Sequence, residues 1–249
     1  MQSPSPSLRI ASFQRRPLFD DVDGIVQRLQ ADLAWCDAQG VQLAVFPECY
    51  LQGYASDRET VMRRALELDG EALATILRRL APFKTMLVLG LSELRRADSA
   101  AALYNTAAVI HQGRLIGHYA KTHPNEAAFS AGEAYPIFEL ESRRFGINIC
   151  NDANFAVPAL RLSGQGAGLL CYPLNNMLLP ATADKWRGQS VDNLRQRALD
   201  TGCWVISSDV VGEYAGKMSY GCTCIVNPAG DIVRQAAEGE EAVVLCDLP

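Results

Sequence analysis

The chain has 249 residues, of which 49% are hydrophobic and 20% are charged, and its formal net charge is -5. This length suits one large α/β domain or two small ones, and this share of apolar residues can fill a sizeable core. No cluster of lysine and arginine stands out, and no apolar run approaches the roughly 20 residues that cross a bilayer. We therefore expect a protein that binds neither nucleic acid nor a membrane.

The amino terminus, residues 1–7, reads MQSPSPS and is polar and rich in proline and serine. It lacks the basic and apolar regions of a signal peptide, so we expect a disordered tail and a cytoplasmic protein with reduced thiols. None of the eight cysteines forms a Cys-x-x-Cys pair and only three histidines are present, so no metal site is predicted. Cys222 and Cys224 come closest, and alternation places both on one strand face, where core packing is favoured.

Hydrophobic periodicity predicts the elements in chain order. The first half is predicted to hold strands at 8–13, 41–48, 85–93, 103–111 and 114–120, with helices at 20–39, 58–68 and 71–80. The second half is predicted to hold strands at 143–150, 167–173, 203–211, 221–227, 231–237 and 241–248, with helices at 157–163 and 185–200. The last of these helices is expected to pack inward through Trp186, Val191, Leu194 and Ala198.

The two halves repeat one order of elements, and the repetition is visible in the residues. LAVFPECY (43–50) corresponds to LLCYPLNN (169–176), and the hairpin at 103–120 corresponds to that at 220–237. Continuous apolar strands indicate sheets covered on both faces, so the two halves are expected to stack sheet on sheet with helices outside. No Pro/Gly linker separates the halves, which predicts a single domain over 1–249.

Three reactive side chains come at the ends of predicted strands, namely Glu48, Lys121 and Cys150. In α/β sheets, ligands gather beyond the carboxyl ends of the strands. A thiol is mostly protonated near pH 7, so a nucleophilic cysteine needs a base, which Glu48 would supply. A cation lowers the pKa of a thiol and stabilises an oxyanion, and Lys121 would do both. We interpret the three residues as a nucleophile, its base and a cation.

The segments around these residues resemble the motifs of the nitrilase superfamily, the carbon–nitrogen hydrolases. VFPECYLQGY (45–54), YAKTH (119–123) and GINICND (146–152) are similar to the family's glutamate, lysine and cysteine motifs. RLSGQGAGLLCYP (161–173) and AFSAGEAYPIFEL (128–140) are similar to two further segments, and the resemblance extends over about 8–248. It implies a four-layer αββα sandwich with an internal pseudo-two-fold repeat.

The resemblance also implies roles for individual residues. Cys150 would attack an amide carbon, Glu48 would act as general base and acid, and Lys121 would hold the oxyanion together with the backbone N–H of Asn151. A thioester would form and be hydrolysed by water. Members of the family often have a second glutamate, for which Glu126 is the candidate here and Glu133 the competitor. No metal or organic cofactor is implied.

The resemblance further implies a small-molecule substrate and assembly into a homodimer or a larger homo-oligomer. A mass near 27.1 kDa by light scattering would contradict the assembly. The true nitrilase branch reads Cys-Trp-Glu where this chain has Cys150, Asn151 and Asp152, which favours a linear amide or an N-carbamoyl compound over a nitrile. Nitrile hydrolysis or acyl transfer by the same triad, and a catalytically silent binding relative, are the alternatives.

Several residues near the motifs have competing interpretations. Tyr54, Asn175 and Asn176 would line the substrate pocket, but turn or packing roles explain them about as well. Asp152 and Arg161 are expected to form a structural ion pair. A nucleophilic pair of Cys150 with His123 is disfavoured because such a pair needs a further orienting group. Core packing is expected for three other cysteines, Cys49, Cys171 and Cys203. Three arginines fall near the expected pocket edge, Arg187, Arg195 and Arg197, although a helix surface is the commoner place for arginine.

Overall fold

A computed structural model describes residues 7–97, 100–141 and 143–249. The predicted tail therefore lies outside the described residues except for Ser7. The strands are β1 Leu8–Gln14, β2 Leu43–Val45, β3 Met86–Ala97, β4 Ala100–His111, β5 Arg114–Ala120, β6 Ile137–Leu140, β7 Arg143–Ile147, β8 Leu169–Pro173, β9 Trp204–Ser208, β10 Gly212–Tyr214, β11 Lys217–Ser219, β12 Cys224–Val226, β13 Ile232–Gln235 and β14 Ala242–Leu248. The helices are α1 Val22–Gln39, α2 Arg58–Arg64, α3 Glu71–Leu80, α4 Ala156–Gly164 and α5 Pro180–Thr201, with a short 3₁₀ helix at Cys150–Asn154.

Two six-stranded sheets repeat one topology. The first has the order β14-β1-β2-β3-β4-β5 and the second the order β13-β12-β9-β8-β7-β6. In the first sheet β1, β2 and β3 are parallel while β4 and β5 run antiparallel, and β7, β8, β9, β12 and β13 repeat this arrangement in the second. Both repeated hairpins carry a register shift. The pseudo-two-fold repeat predicted from the sequence is confirmed.

The strands alternate between two hydrophobic layers, which explains why they are apolar throughout. In β2, Leu43 and Val45 lie in a core shared by both sheets, whereas Ala44 packs against the outer helices. In β8, Leu169 lies in the shared core and Leu170 in the outer one. Helices α1 and α3 cover the first sheet, and α4 and α5 cover the second. These are the four layers of the predicted αββα sandwich.

The helices follow their sequence signals closely. Helix α1 begins after Asp21, whose carboxylate accepts a hydrogen bond from the Gly24 N–H, and it ends at Gly40, whose φ of 68° suits a glycine. Helix α3 spans the predicted residues, and Leu73, Ile76 and Leu80 form its buried side. Helix α5 is longer than predicted because Pro180 starts it. No helix in the described ranges is both long enough and apolar enough to cross a membrane.

Two structural features were not predicted. Strand β6 pairs antiparallel with β7 and forms an edge of the second sheet. Strands β10 and β11 form a separate two-stranded hairpin, which is joined to the chain ahead of α5 by mutual backbone hydrogen bonds between Leu178 and Met218 of 2.8 and 2.9 Å. The strand predicted at 143–150 was wrong at its end, because regular pairing stops at Ile147 and Cys150 begins the 3₁₀ helix.

Candidate active site

The carboxyl ends of β2, β5 and β7 meet at one edge of the two sheets. Glu48 follows β2, Lys121 follows β5, and Cys150 comes three residues after β7. The N–H of Glu48 donates a hydrogen bond of 3.1 Å to the carbonyl of Leu174, which follows β8, so the corresponding segments of the two halves are joined directly. Gly90 on β3 lets the backbone around Glu48 approach this strand closely, because a Cβ atom at Gly90 would lie 2.2 Å from the Pro47 carbonyl oxygen.

A buried ion pair occupies the centre of this edge. The Lys121 Nζ atom lies 2.7 Å from Glu48 Oε1, and each side chain is 1% exposed. Asn105 Nδ2 donates to the same oxygen at 2.6 Å. The other carboxylate oxygen, Glu48 Oε2, is buried without a hydrogen-bond partner among the described residues. One oxygen of Glu48 is therefore held in place and the other is available to accept a proton.

The electrostatics of this pair follow from burial and from its neighbours. Burial raises the pKa of Glu48 above its usual value, and the cation of Lys121 opposes this effect. Burial alone would lower the pKa of Lys121, but the carboxylate of Glu48 together with Cys150 and Glu126 raises it. Lys121 is thus held as a cation, while Glu48 is a stronger base than a carboxylate in water.

Cys150 stands in a backbone conformation that few side chains adopt. Its φ is 41°, in the left-handed region, and its thiol belongs to the same pocket as Glu48 and Lys121. Burial, and then the charge of Glu48, raise the pKa of the Cys150 thiol well above its usual value. The cation of Lys121 and the nearby backbone N–H of Asn175 lower it. The thiol is therefore neutral at rest and lies among groups suited to receiving its proton and stabilising the thiolate.

A second carboxylate faces the pocket, and it is Glu126. Its Oε2 atom is buried without a partner in the described residues, and its charge acts on both Glu48 and Lys121. Burial raises the pKa of Tyr54, and the nearby carboxylates of Glu48 and Glu126 raise it further. Glu133 is exposed and does not line the pocket. Of the two candidates for a second glutamate, only Glu126 is in position to act.

The pocket has a volume of about 300 Å³, enough for a small molecule. Asn151, Tyr54, Asn175 and Asn176, the four residues proposed to contact substrate, all line it. The wall has an apolar side and a side rich in amides. The apolar lining residues are Ala153, Leu174, Met177, Leu178, Trp186 and Leu194, and the further amides are Asn125, Asn154 and Asn193. No group of three His, Cys, Asp or Glu side chains suited to a metal ion occurs in the parts of the chain that the structure describes.

A family model for the carbon–nitrogen hydrolases matches residues 9–249. The chain belongs to this family. It is 30% identical over 245 residues to a Pseudomonas protegens protein named for its position, "Hydrolase in pqqF 5'region", covering 96% of this chain and 82% of the relative. It is 26% identical over 247 residues to a nitrilase of Pyrococcus abyssi, covering 97% and 89%. It is 29% identical over 224 residues to an omega-amidase of Homo sapiens, covering 84% and 77%.

The fold of this chain is also similar to that of a solved structure. The crystal structure of Saccharomyces cerevisiae Nit3, a member of the nitrilase superfamily, superposes with a TM-score of 0.83 at 24% identity and covers 98% of this chain and 90% of that one. The resemblance predicted from the three motifs is therefore confirmed, and the protein is a hydrolase of the nitrilase superfamily.

Asp152 of this hydrolase has different partners from the predicted one. It is fully buried, and its carboxylate accepts hydrogen bonds from the Tyr119 hydroxyl at 2.8 Å and from Thr122 and the His123 N–H at 3.0 and 2.9 Å. The predicted ion pair with Arg161 was wrong, because that guanidinium lies 5.0 Å over the Tyr135 ring. Asp152 therefore ties the segment after Lys121 to the turn that carries Cys150.

His123 belongs to this network rather than to the nucleophile. Its Nδ1 atom lies 3.0 Å from Asp152 Oδ1, and its ring stacks on Phe155 at 4.2 Å. Its carbonyl accepts a hydrogen bond of 2.9 Å from the side chain of Asn151. Cys49 packs in a separate small core, as expected, and Cys171, Cys203, Cys222 and Cys224 lie in the main cores of the hydrolase.

Among the residues at or beside the pocket, sequence reasoning missed Lys217 and Asp209 and misassigned Trp186. Trp186 was predicted to pack inward on α5 but lines the pocket, while Leu194 and Ala198 are buried as predicted. Lys217 lines the pocket from the unpredicted hairpin. Asp209, directly after β9, is fully buried beside the pocket and binds Asn176. Trp186 lies within α5, which begins at Pro180, whereas no sequence signal marked Lys217 or Asp209.

The three arginines that were expected near the pocket edge make their contacts outside the pocket. Arg187 forms an ion pair with Glu238, Arg195 donates to the Gly230 carbonyl, and Arg197 forms an ion pair with Asp200. None of the three lines the pocket that contains Cys150. The cations that line it, among the described residues, are Lys121 and Lys217.

Proposed function

We propose that this hydrolase cleaves the non-peptide carbon–nitrogen bond of a small linear amide or N-carbamoyl compound through a thioester on Cys150. The observation that carries the proposal is the divided role of Glu48. One of its oxygens is held by Lys121 and Asn105, and the other is buried and free in the pocket that contains the thiol. A held but incompletely paired carboxylate beside a thiol is suited to moving a proton.

In the acylation step, Glu48 takes the proton of the Cys150 thiol, and the thiolate forms a bond to the carbonyl carbon. Lys121 and the backbone N–H of Asn151 stabilise the negative charge that develops on the carbonyl oxygen. Glu48 then returns the proton to the leaving nitrogen, the carbon–nitrogen bond breaks, and ammonia or an amine departs. The acyl group remains on sulfur as a thioester.

In the deacylation step, Glu48 takes a proton from a water molecule, which attacks the thioester carbon. The carbon–sulfur bond breaks, the acid product leaves, and the thiol regains its proton. Glu126 faces both Glu48 and Lys121 and would position the substrate nitrogen or the water through its free oxygen. The buried surroundings favour this chemistry because charge interactions are stronger where water is excluded.

The central prediction is a covalent adduct that depends on Cys150. Intact mass after brief exposure to simple amides, N-carbamoyl amino acids and a nitrile is expected to show a transient acyl adduct on the wild-type protein, with release of ammonia. Cys150→Ala is expected to lose both the adduct and the activity. Cys246→Ala is the matched control, because Cys246 is partly exposed and lies outside the pocket. An adduct that persists in Cys150→Ala, or hydrolysis without it, would exclude this mechanism.

Lys217 supports a refinement of the substrate, namely an anionic group at the end away from the scissile bond. The side chain is exposed and makes no ion pair among the described residues. It lines the pocket of Cys150 and a neighbouring cleft that shares Tyr54 and Asn175. The hydrogen bonds between Leu178 and Met218 hold its hairpin against the pocket wall. We propose that Lys217 attracts a carboxylate on the substrate.

Lys217→Met is expected to raise KM about fivefold for the monoamide of a four-carbon dicarboxylic acid, since a partly exposed charge pair contributes up to about 1 kcal/mol. KM for the neutral amide of equal length is expected to stay within about twofold, and Lys217→Arg should retain the preference. Steady-state kinetics of the two substrates test this. An equal change in KM for both substrates would mean that Lys217 does not distinguish the charged substrate from the neutral one.

A further inference from the structure

Asp209 is a buried carboxyl group that the proposed chemistry does not use. It is fully buried at the end of β9, and it has no cation within ion-pair distance among the described residues. Its Oδ1 atom accepts hydrogen bonds from the N–H groups of Asn176 and Val210 at 3.0 and 2.8 Å. Its Oδ2 atom accepts from Asn176 Nδ2 at 2.7 Å. Three N–H donors therefore replace a counter-ion.

This carboxylate continues the pairing of β8 with β9 beyond the point where the strands end. Regular pairing reaches Pro173 and Ser208, and the Leu174 N–H still donates to the Ser208 carbonyl at 2.7 Å. The next donor along this side, the Asn176 N–H, meets the side chain of Asp209 instead of a backbone carbonyl. The segment from Leu174 to Asn176 is therefore held at one end by the strand and at the other by Asp209.

The segment held in this way contacts the thiol. Asn175 lies between the two anchored residues, and its backbone N–H is near enough to Cys150 to lower the pKa of the thiol. Asn175 and Asn176 both line the pocket. A hydrogen bond to sulfur favours the thiolate over the thiol, so the position of this N–H affects how readily Cys150 ionises.

We propose that Asp209 is a positioning residue that, as a carboxylate, holds the Leu174–Asn176 segment with the Asn175 N–H directed at Cys150. Protonation of Asp209 changes this arrangement. A proton on Oδ2 turns that oxygen into a donor facing the Asn176 amide nitrogen, which is also a donor. The Asn176 side chain must then turn over or move away, and the segment loses one of its anchors.

Asp209 can change its charge near neutral pH. Burial raises its pKa from the usual value to about 7, while the hydrogen bonds from Asn176 and Val210 lower it and the charge of Glu48 raises it. The other titratable groups that interact with Asp209 are Cys150, Cys222 and Cys224, and the side pocket that it lines also contains Arg187 and Tyr220. Within the described residues, the groups closest to Asp209 are thus acids and thiols, with Arg187 already paired to Glu238.

The test is the rate at which iodoacetamide alkylates Cys150, measured by peptide mapping between pH 5.5 and 8.5. Asp209→Asn has nearly the same shape and mimics the neutral form. The charge of Asp209 by itself raises the pKa of Cys150, so the positioning effect must exceed this opposing one. The ratio of the wild-type rate to the Asp209→Asn rate is expected to be near 1 at pH 5.5 and to rise to about 10 at pH 8.5, with a midpoint near 7, and a ratio that falls below 1 would overturn the inference. Asp192→Asn, an exposed substitution on α5, should follow the wild type.

A second variant, Asn176→Ala, tests the same inference by shifting the pKa of Asp209. Asn176→Ala removes one donor that lowers the pKa of Asp209, so the midpoint of its rate ratio to Asp209→Asn should move to higher pH. A ratio of wild type to Asp209→Asn that stays constant across the pH range would overturn the inference. The inference rests on the proposed function, and the two fail differently: amide hydrolysis or an acyl adduct that persists in Cys150→Ala would contradict the nucleophile itself, whatever the pH dependence of alkylation.

Thermal unfolding supplies a readout that does not involve Cys150. The native state holds the Asp209 proton more tightly than the unfolded chain, because burial raises its pKa to about 7. Wild-type stability is therefore expected to fall relative to Asp209→Asn as the pH rises from about 4 to 7, and the difference should level off above that range. A difference in Tm that does not change with pH would show that the native state does not retain the Asp209 proton in this window, and it would overturn the inference that Asp209 changes its charge near neutral pH.

Discussion

Replacing Glu48 by glutamine is expected to lower kcat for amide hydrolysis about 10³-fold, within the range that a positioned general base contributes. The amide oxygen of glutamine can still accept the hydrogen bonds that Lys121 and Asn105 now donate to Oε1. The amide nitrogen takes the place of Oε2, which has no partner among the described residues. The variant therefore retains much of the local geometry and loses the free carboxylate oxygen of Glu48.

The matched control for this variant is Glu93→Gln. Glu93 is also a buried carboxylate, 2% exposed, which forms an ion pair with Arg95 and accepts a hydrogen bond from the Thr106 hydroxyl. It does not line the pocket. Both substitutions should lower the free energy of unfolding, measured in urea, but only Glu48→Gln should lower kcat. Equal losses of activity in the two variants would mean that Glu48 acts through stability alone.

The sequence predicted the layers well because long periodic elements carry strong signals. Helices α1 and α3 are amphipathic over several turns, and caps such as Asp21 and Gly40 fix where α1 begins and ends. The internal repeat allowed one half to check the other, and the two sheets share their topology. Continuous apolar strands such as β8 indicated burial on both faces, which the two cores on either side of it confirm.

Short strands with mixed patterns were not predictable in this way. Strand β6 has four residues, and β10 and β11 have three each. Three residues cannot establish an alternating pattern, and these strands form because their partners are already in place. Lys217 could not be assigned to the pocket, because its position depends on the β10–β11 hairpin, which the sequence pattern does not predict.

The candidate site was predictable where each residue follows a strong strand, as Glu48 and Lys121 do. The contacts between these residues and their surroundings depend on loops from both halves. Asp152 was predicted to pair with Arg161, but folding brings Tyr119 and His123 to its carboxylate instead. Partners separated by about 30 residues, as these are, cannot be derived from spacing along the chain.

Replacing Lys121 by methionine is expected to abolish measurable turnover and to destabilise the protein by about 3–5 kcal/mol, because the loss of one partner leaves a buried charge unpaired. Glu48 would then have no cation to oppose the effect of burial, so its pKa would rise further. A carboxyl group whose pKa is raised on folding reduces stability as the pH rises above its usual value near 4.5. The variant should therefore be less destabilised at pH 5 than at pH 8.

A double-mutant cycle separates the ion pair from the packing of the two side chains. In the Glu48→Gln, Lys121→Met double variant neither charge remains, so its free energy of unfolding at pH 8 should exceed that of Lys121→Met and depend less on pH. Lys185→Met, on the exposed side of α5, is the control for removing a lysine charge. If Lys121→Met were equally stable at pH 5 and pH 8, Glu48 would have to be charged in that variant throughout this range, as it is in the unfolded chain. Its ionisation in the native protein would then not depend on Lys121, 2.7 Å away.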